Sequence, residues 1–175
     1  MRRPLAALAL ALVVLLAAYW LLLRDRTVEA DVRVARAAAV IGSGAEAVAV
    51  SGEGQVLAWF PLPEDEPLPS LPLSEPPADG TLAGTLLQQA RVLGAAPAPL
   101  RPYLESSYYG ETGVDVKLRS GIELRFGDDS QLGPKWKAAA AVLADPTIEA
   151  LDYVDLHAPR RPAVGGSGHT LPPPE

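Results

Sequence analysis

Apolar positions recur every second residue in some stretches of the chain and at helical spacing in others. From Val114 to Phe126, the residues Val114, Val116, Leu118, Ile122, Leu124 and Phe126 fall on one face of two strands. Arg119-Ser120-Gly121 between them reads as a three-residue hairpin loop, with glycine where a left-handed backbone is wanted. Pairing Leu118 with Ile122 sets Lys117 opposite Glu123 and Asp115 opposite Arg125, complementary pairs worth roughly 0.2–1 kcal/mol each. A second alternating run, Ile148 to His157, puts Ile148, Ala150, Val154 and Leu156 on a core face interrupted by Asp152. Leu151, Tyr153, Asp155 and His157 share the other face. Ala158-Pro159-Arg160-Arg161-Pro162 follows, and prolines at that place suit a sheet edge open to an added strand. Burying Leu151 and Tyr153 needs a cover, either a loop of the chain or a partner.

Helical spacing appears twice. Thr81 reads as an N-cap before Leu82, Leu86, Leu87, Ala90 and Leu93, with Gly94 as the stop. Asp129 or Ser130 reads as the cap of a second helix with Leu132, Trp136, Ala139, Ala140 and Leu143 inward, Lys135 and Lys137 in water, and Pro146 as the stop. Glu46–Val50 and Gln55–Phe60 flank Gly52-Glu53-Gly54 as a hairpin. The seven prolines from Pro61 to Pro77 predict an extended surface strap that does not pair in a sheet. Leu100 to Tyr109 holds a turn and a strand of open register. Residues 165–175, rich in glycine and proline, read as a disordered tail.

Leu5 to Leu23 is apolar throughout and flanked by arginines, long enough at about 1.5 Å per residue to cross a bilayer core of about 30 Å. The run exceeds a signal-peptide core of about 7–15 residues, and Arg24, Asp25 and Arg26 intervene before Val28-Glu29-Ala30, so an uncleaved anchor is expected. Tyr19 and Trp20 fit an interfacial belt. The expected order is a cytoplasmic stub (1–4), a membrane helix (5–23), a connector (24–44), an extracytoplasmic α+β domain with a largely antiparallel sheet and two helices (45–164), and the tail.

Composition then narrows the chemistry. A net charge of -6 with pI near 4.9 argues against nucleic acid, which demands a basic surface. The 175 residues contain no cysteine, which removes disulfides and thiolate chemistry. His157 beside Asp155 lacks any nucleophile motif, His169 sits in the tail, and Asp128-Asp129 reads as turn and cap chemistry rather than a cation loop. No catalytic, cofactor-binding or metal-ligating residue is expected, and no small-molecule substrate.

Several of these segments also resemble the FtsQ/DivIB family of bacterial division proteins. The resemblance rests on Gly54-Gln55-Val56-Leu57, Leu68-Pro69-Ser70-Leu71-Pro72 before a helix, the strand-Gly-strand-Gly unit from Val114 to Gly127, Lys135 and Leu143, and Tyr153 through Val164. It spans about residues 45 to 164 and implies a single-pass inner-membrane, non-catalytic divisome scaffold at the septum. Such a scaffold binds FtsB-like and FtsL-like partners and helps control septal peptidoglycan synthesis. Strand addition carried onto this sequence falls on Leu151, Tyr153, Val154, Asp155, Leu156, His157, Pro159, Arg160 and Pro162. Two departures stand out: residues 27–44 are too short for the POTRA domain that such proteins place after the membrane helix, and His157 stands where arginine is usual. The alternative is another membrane-anchored module binding peptide or cell-wall glycan.

Overall fold

The structure, a computed structural model, describes residues 36–62 and 67–170. The expected membrane helix, the stub before it, and residues 24–35, 63–66 and 171–175 lie outside the described residues. Among the described residues no helix is long and apolar enough to cross a membrane.

Three short strands come first, β1 (Ala37–Ile41), β2 (Val48–Ser51) and β3 (Val56–Leu57), paired antiparallel in that order. The expected β2–β3 hairpin forms around Gly54, which holds φ +81° with Leu82 and Leu87 packed against it. β1 corrects the connector assignment, because residues 37–41 are a strand with Ala39 and Ile41 fully buried. Its run of small and branched apolar residues pairs with β2 on either side of a bulge at Ala38, and burial on both faces hides the alternation that marks a strand.

Helix α1 (Gly84–Gly94) follows. Thr81 is not its cap: it bridges Gln55 beside β3, and Ala83 holds the N-cap position. A 3-10 segment, Ala98–Tyr103, then leads into β4 (Leu104–Gly110), and β5 (Gly113–Leu118) and β6 (Glu123–Gly127) complete a meander. The β5–β6 hairpin has the expected register, with Leu118 donating to the Ile122 carbonyl at 2.8 Å and Gly121 at φ +94°.

Helix α2 (Leu132–Leu143) crosses over to β7 (Ala150–Asp155), which pairs parallel with β6, and β8 (Ala163–Thr170) returns antiparallel to β7. Trp136 is core as expected, tilted against Phe126 with 4.7 Å between ring centroids and donating to the Val92 carbonyl of α1 at 2.9 Å. Lys135 departs from expectation. It is 2% exposed, and its ammonium donates to the Phe126 carbonyl (2.9 Å), the Asp128 carbonyl (3.0 Å) and the Asp128 carboxylate (2.5 Å). A lysine one turn into α2 reaches back over the end of β6, where three acceptors compensate its desolvation. Gln131, left-handed at φ 51°, takes the N-cap position expected of Asp129 or Ser130. Asp129 instead pairs with Arg91 at 2.8 Å.

The strap also pairs, contrary to its composition. Ser70 donates to the Glu105 carbonyl and accepts from Ser107, while its neighbours exchange bonds with Val40 through the Pro69 carbonyl and the Leu71 amide. Proline removes only its own N–H, and Ser70 and Leu71 keep theirs. One residue thus stitches β1 to β4 and joins the two sheets, with Leu71 buried beneath.

Two corrections concern the C-terminal strands. Residues 165–170 are strand, not tail, and β7 lies between β6 and β8 rather than at the edge. The glycines of 165–168 carry no side-chain pattern, so their pairing is written in backbone bonds that composition does not show.

Candidate functional site

With β7 internal, the sheet ends at β8, and no described segment pairs beyond it. At the opposite end, Gly80 and Leu82 exchange backbone bonds with Val56 and Gly54 and cover the margin of β3. β4, at the other edge of the same sheet, is bridged only by Ser70, and β8 is a margin along which no described segment pairs, the feature an extended segment can extend.

The expected partner-binding residues separate into two sets. Leu151, Val154 and Leu156 are all buried in the main core cluster, so their side chains support the strand from beneath. Leu151 was expected on the outer face with Tyr153. It is 1% exposed: the in–out alternation of β7 breaks at Asp152–Tyr153, where the β7–β8 register also shifts. Asp152 in turn leaves the core face on which alternation had set it, and directs its carboxylate at β8, accepting from the Gly168 amide at 2.7 Å.

Tyr153, Asp155 and His157 stay on the outer face. Tyr153 is sandwiched between the Arg125 guanidinium, 4.0 Å from its ring centroid, and Gly165, where a Cβ would meet its hydroxyl at 2.6 Å. Its cover within the domain is thus an arginine of β6 and a glycine of β8 rather than the strap. Asp155 accepts from both the backbone N–H of His157 (2.9 Å) and its Nδ1 (2.8 Å), while Nε2 lies 3.3 Å from the Thr112 carbonyl. The bond to Asp155, only partly opposed by burial, raises the His157 pKa. Burial pushes the Asp155 carboxyl up, but the His157 bonds outweigh it and the net shift is downward. Two acceptors flanking one imidazole favour the doubly protonated ring, which ties the β4–β5 turn to the end of β7.

Further along the face, Asp115 is buried beside Arg125. Burial, reinforced by the Glu123 charge, pushes its carboxyl up to about 6. Tyr108 donates to Glu123, which also holds Arg125 at 3.5 Å. Tyr108, Glu123 and Arg125 satisfy one another across the strands, whereas Oδ1 of Asp115 is buried without a hydrogen-bond partner. Among the described residues, no group of three His, Asp or Glu side chains is placed to hold a metal ion.

The proline-bearing turn after β7 adds a second surface. Pro159 and Arg160 form one wall of an open cleft of about 580 Å³, and Gln131, Gly133, Pro134, Lys137, Ala138 and Ala141 along α2 form the other. Pro162 is half-buried at the turn into β8. Lys137 and Arg160 put two cations on a floor of small residues. Sequence reasoning found Pro159 and Arg160 but missed Lys137 as their neighbour. The spacing Pro134, Lys137, Ala138 and Ala141, small residues one turn apart on α2, was the signal present.

Comparison with known proteins agrees with this architecture. Residues 39–157 match the family model described as cell division protein FtsQ/DivIB, C-terminal. No similar sequence was found among the curated proteins. The match runs from β1 through the meander and the α2 crossover to the end of β7, most of the chain, and this protein therefore belongs to the FtsQ/DivIB family of cell division proteins.

Proposed function

We propose that the protein is a non-catalytic divisome scaffold, anchored in the cytoplasmic membrane by Leu5–Leu23 with its folded domain outside, at the division septum. It binds FtsB-like and FtsL-like proteins and through them helps regulate septal peptidoglycan synthesis. The partner adds a strand to the open margin of β8, rather than to β7 itself, and its flanking residues reach the cleft between α2 and Pro159-Arg160. Tyr153, Asp155 and His157 shape the outer face beside the docking strand, while Leu151, Val154 and Leu156 hold it in place from the core. The carrying observation is that β8 ends the sheet with no described segment beyond it. Lys137 and Arg160 favour an acidic flank on the partner.

Proline substitution at Ala163 and at Val164 in turn tests this, because successive amides of a strand point to opposite edges. One variant loses an amide facing β7 and the other an amide facing the open margin. The second keeps the circular dichroism spectrum and thermal midpoint of the parent and loses binding to the extracytoplasmic segment of the FtsB-like protein. Undiminished binding by both variants overturns strand addition at β8. A fluorescent fusion that stays diffuse in the membrane of dividing cells overturns the septal role.

A further inference from the structure

A glycine-rich strand specifies its own register poorly, since no side chains distinguish one alignment from the next. β8 contains Gly165, Gly166, Ser167 and Gly168. Leu151 nonetheless pairs with His169, and Tyr153 with Gly165, so that Asp152 alone faces the three residues Gly166–Gly168 as a bulge. Its carboxylate closes that bulge from both ends. Oδ1 accepts the Gly168 amide at 2.7 Å, and Oδ2 lies 1.9 Å from where a Cβ on Gly166 would sit. Gly166 also holds φ +79°, a conformation that side chains resist. A Cβ on Gly168 would likewise meet Oδ1 at 2.5 Å, so the fit beneath Asp152 needs glycines two residues apart, a spacing that within β8 only Gly166 and Gly168 supply.

We infer that Asp152 is a positioning residue that locks the register of β8, and so decides which backbone groups β8 offers at the sheet margin. The lock leaves Ala163–Gly165 as a straight docking segment and ends it at the bulge. A bulge twists a strand out of line with any further pairing, so the same contact limits how far an added strand can run and discourages indiscriminate edge-to-edge association. The inference rests on strand addition at β8 for its functional meaning, but the lock itself is measurable without a partner.

The test uses the full-length chain in detergent micelles, with the variants Asp152→Ala, Asp152→Asn and Gly166→Ala. Asp152→Ala raises the exchange rate of the Gly168 amide about tenfold, as expected for loss of a hydrogen bond to a charged acceptor. It also weakens the Val154–Val164 and Tyr153–Gly165 cross-strand nuclear Overhauser effects. Asp152→Asn, which keeps an acceptor in place, restores both. Gly166→Ala displaces the carboxylate and reproduces the alanine phenotype. The urea midpoint moves little in the two Asp152 variants, which separates loss of register from general unfolding. Unchanged Gly168 exchange and unchanged cross-strand contacts in Asp152→Ala overturn the lock, whatever the binding result. If the lock is present but the FtsB-like segment fails to bind the parent chain, strand addition fails and the lock stands. If the parent binds, Asp152→Ala weakens binding about tenfold and Asp152→Asn does not; equal binding by all three removes the lock from recognition.

Discussion

The β5–β6 and β7–β8 hairpins lie side by side in one sheet, β6 against β7, and are held by opposite means. In β5–β6 the register is written in side chains: Val114, Val116, Leu118, Ile122, Leu124 and Phe126 are all buried on one face, and any slip would expose them. In β7–β8 the final strand buries almost nothing, its residues being exposed or half-exposed throughout, and one carboxylate on the Gly168 amide replaces the apolar pattern. The first arrangement makes a rigid floor. The second makes a margin that stays open without drifting.

The largest expected difference between them comes from core truncation. Phe126→Ala empties the space against Trp136 and should cost about 3–5 kcal/mol in urea unfolding, enough to unfold a marginal domain. Val164→Ala in β8, where the side chain is 46% exposed, should stay within about 0.5 kcal/mol. Comparable losses at the two positions would erase the contrast. Next is Lys135→Met, which removes the clamp from α2 onto the end of β6 and leaves two backbone carbonyls short of a donor. A loss of about 1–3 kcal/mol is expected, together with faster amide exchange around Phe126 to Asp128.

pH sharpens the comparison further, through groups under the meander and at the end of β7. Asp115 titrates higher folded than unfolded, so folding takes up a proton between about pH 4 and 6, and its contribution falls as pH rises through that window. His157, also raised, extends the fall to higher pH. Asp128 acts the other way: Lys135 and Ser130 hold it down to about 2, so its contribution is present above about pH 4 and lost as pH drops toward 2. Asp115→Asn should therefore flatten the urea midpoint between pH 4 and 6 and add about 1 kcal/mol at pH 7, with solvent screening discounted. A profile identical to the parent would remove Asp115 from that window.

The smallest effect belongs to the cross-strand charges. Lys117 and Glu123 are paired in register as expected, yet Lys117 turns to Glu105 at 3.7 Å and Glu123 to Arg125 and Tyr108. A double-mutant cycle on Lys117 and Glu123 should give a coupling below about 0.5 kcal/mol, and a larger value would mean that these charges help set the register.

What was readable in the chain followed the visibility of side chains. The β5–β6 hairpin, the β2–β3 turn, both helices and the core position of Trp136 were legible because each buries a patterned face. Lys135 was misplaced because a helical wheel marks it as wet, whereas the helix carries it onto the carbonyls of β6. Leu151 was misplaced because strict alternation cannot see the break within β7 at Asp152–Tyr153. Of the candidate site, Tyr153, Asp155, His157 and the Pro159-Arg160 turn were found on the outer face or beside it. The open margin of β8, Asp152 and Lys137 were not, since each depends on a neighbour distant in sequence or on backbone geometry.

The sequence alone determined a mixed domain, a well-registered central hairpin and a C-terminal strand with a distinctive outer face, because periodic burial leaves a local record. Only the tertiary structure decided which strand lies at the edge, that the proline strap stitches two sheets through Ser70, and that a glycine run is ordered beneath Asp152. Those outcomes rest on backbone hydrogen bonds between distant segments, and such bonds are made by groups that every residue carries alike.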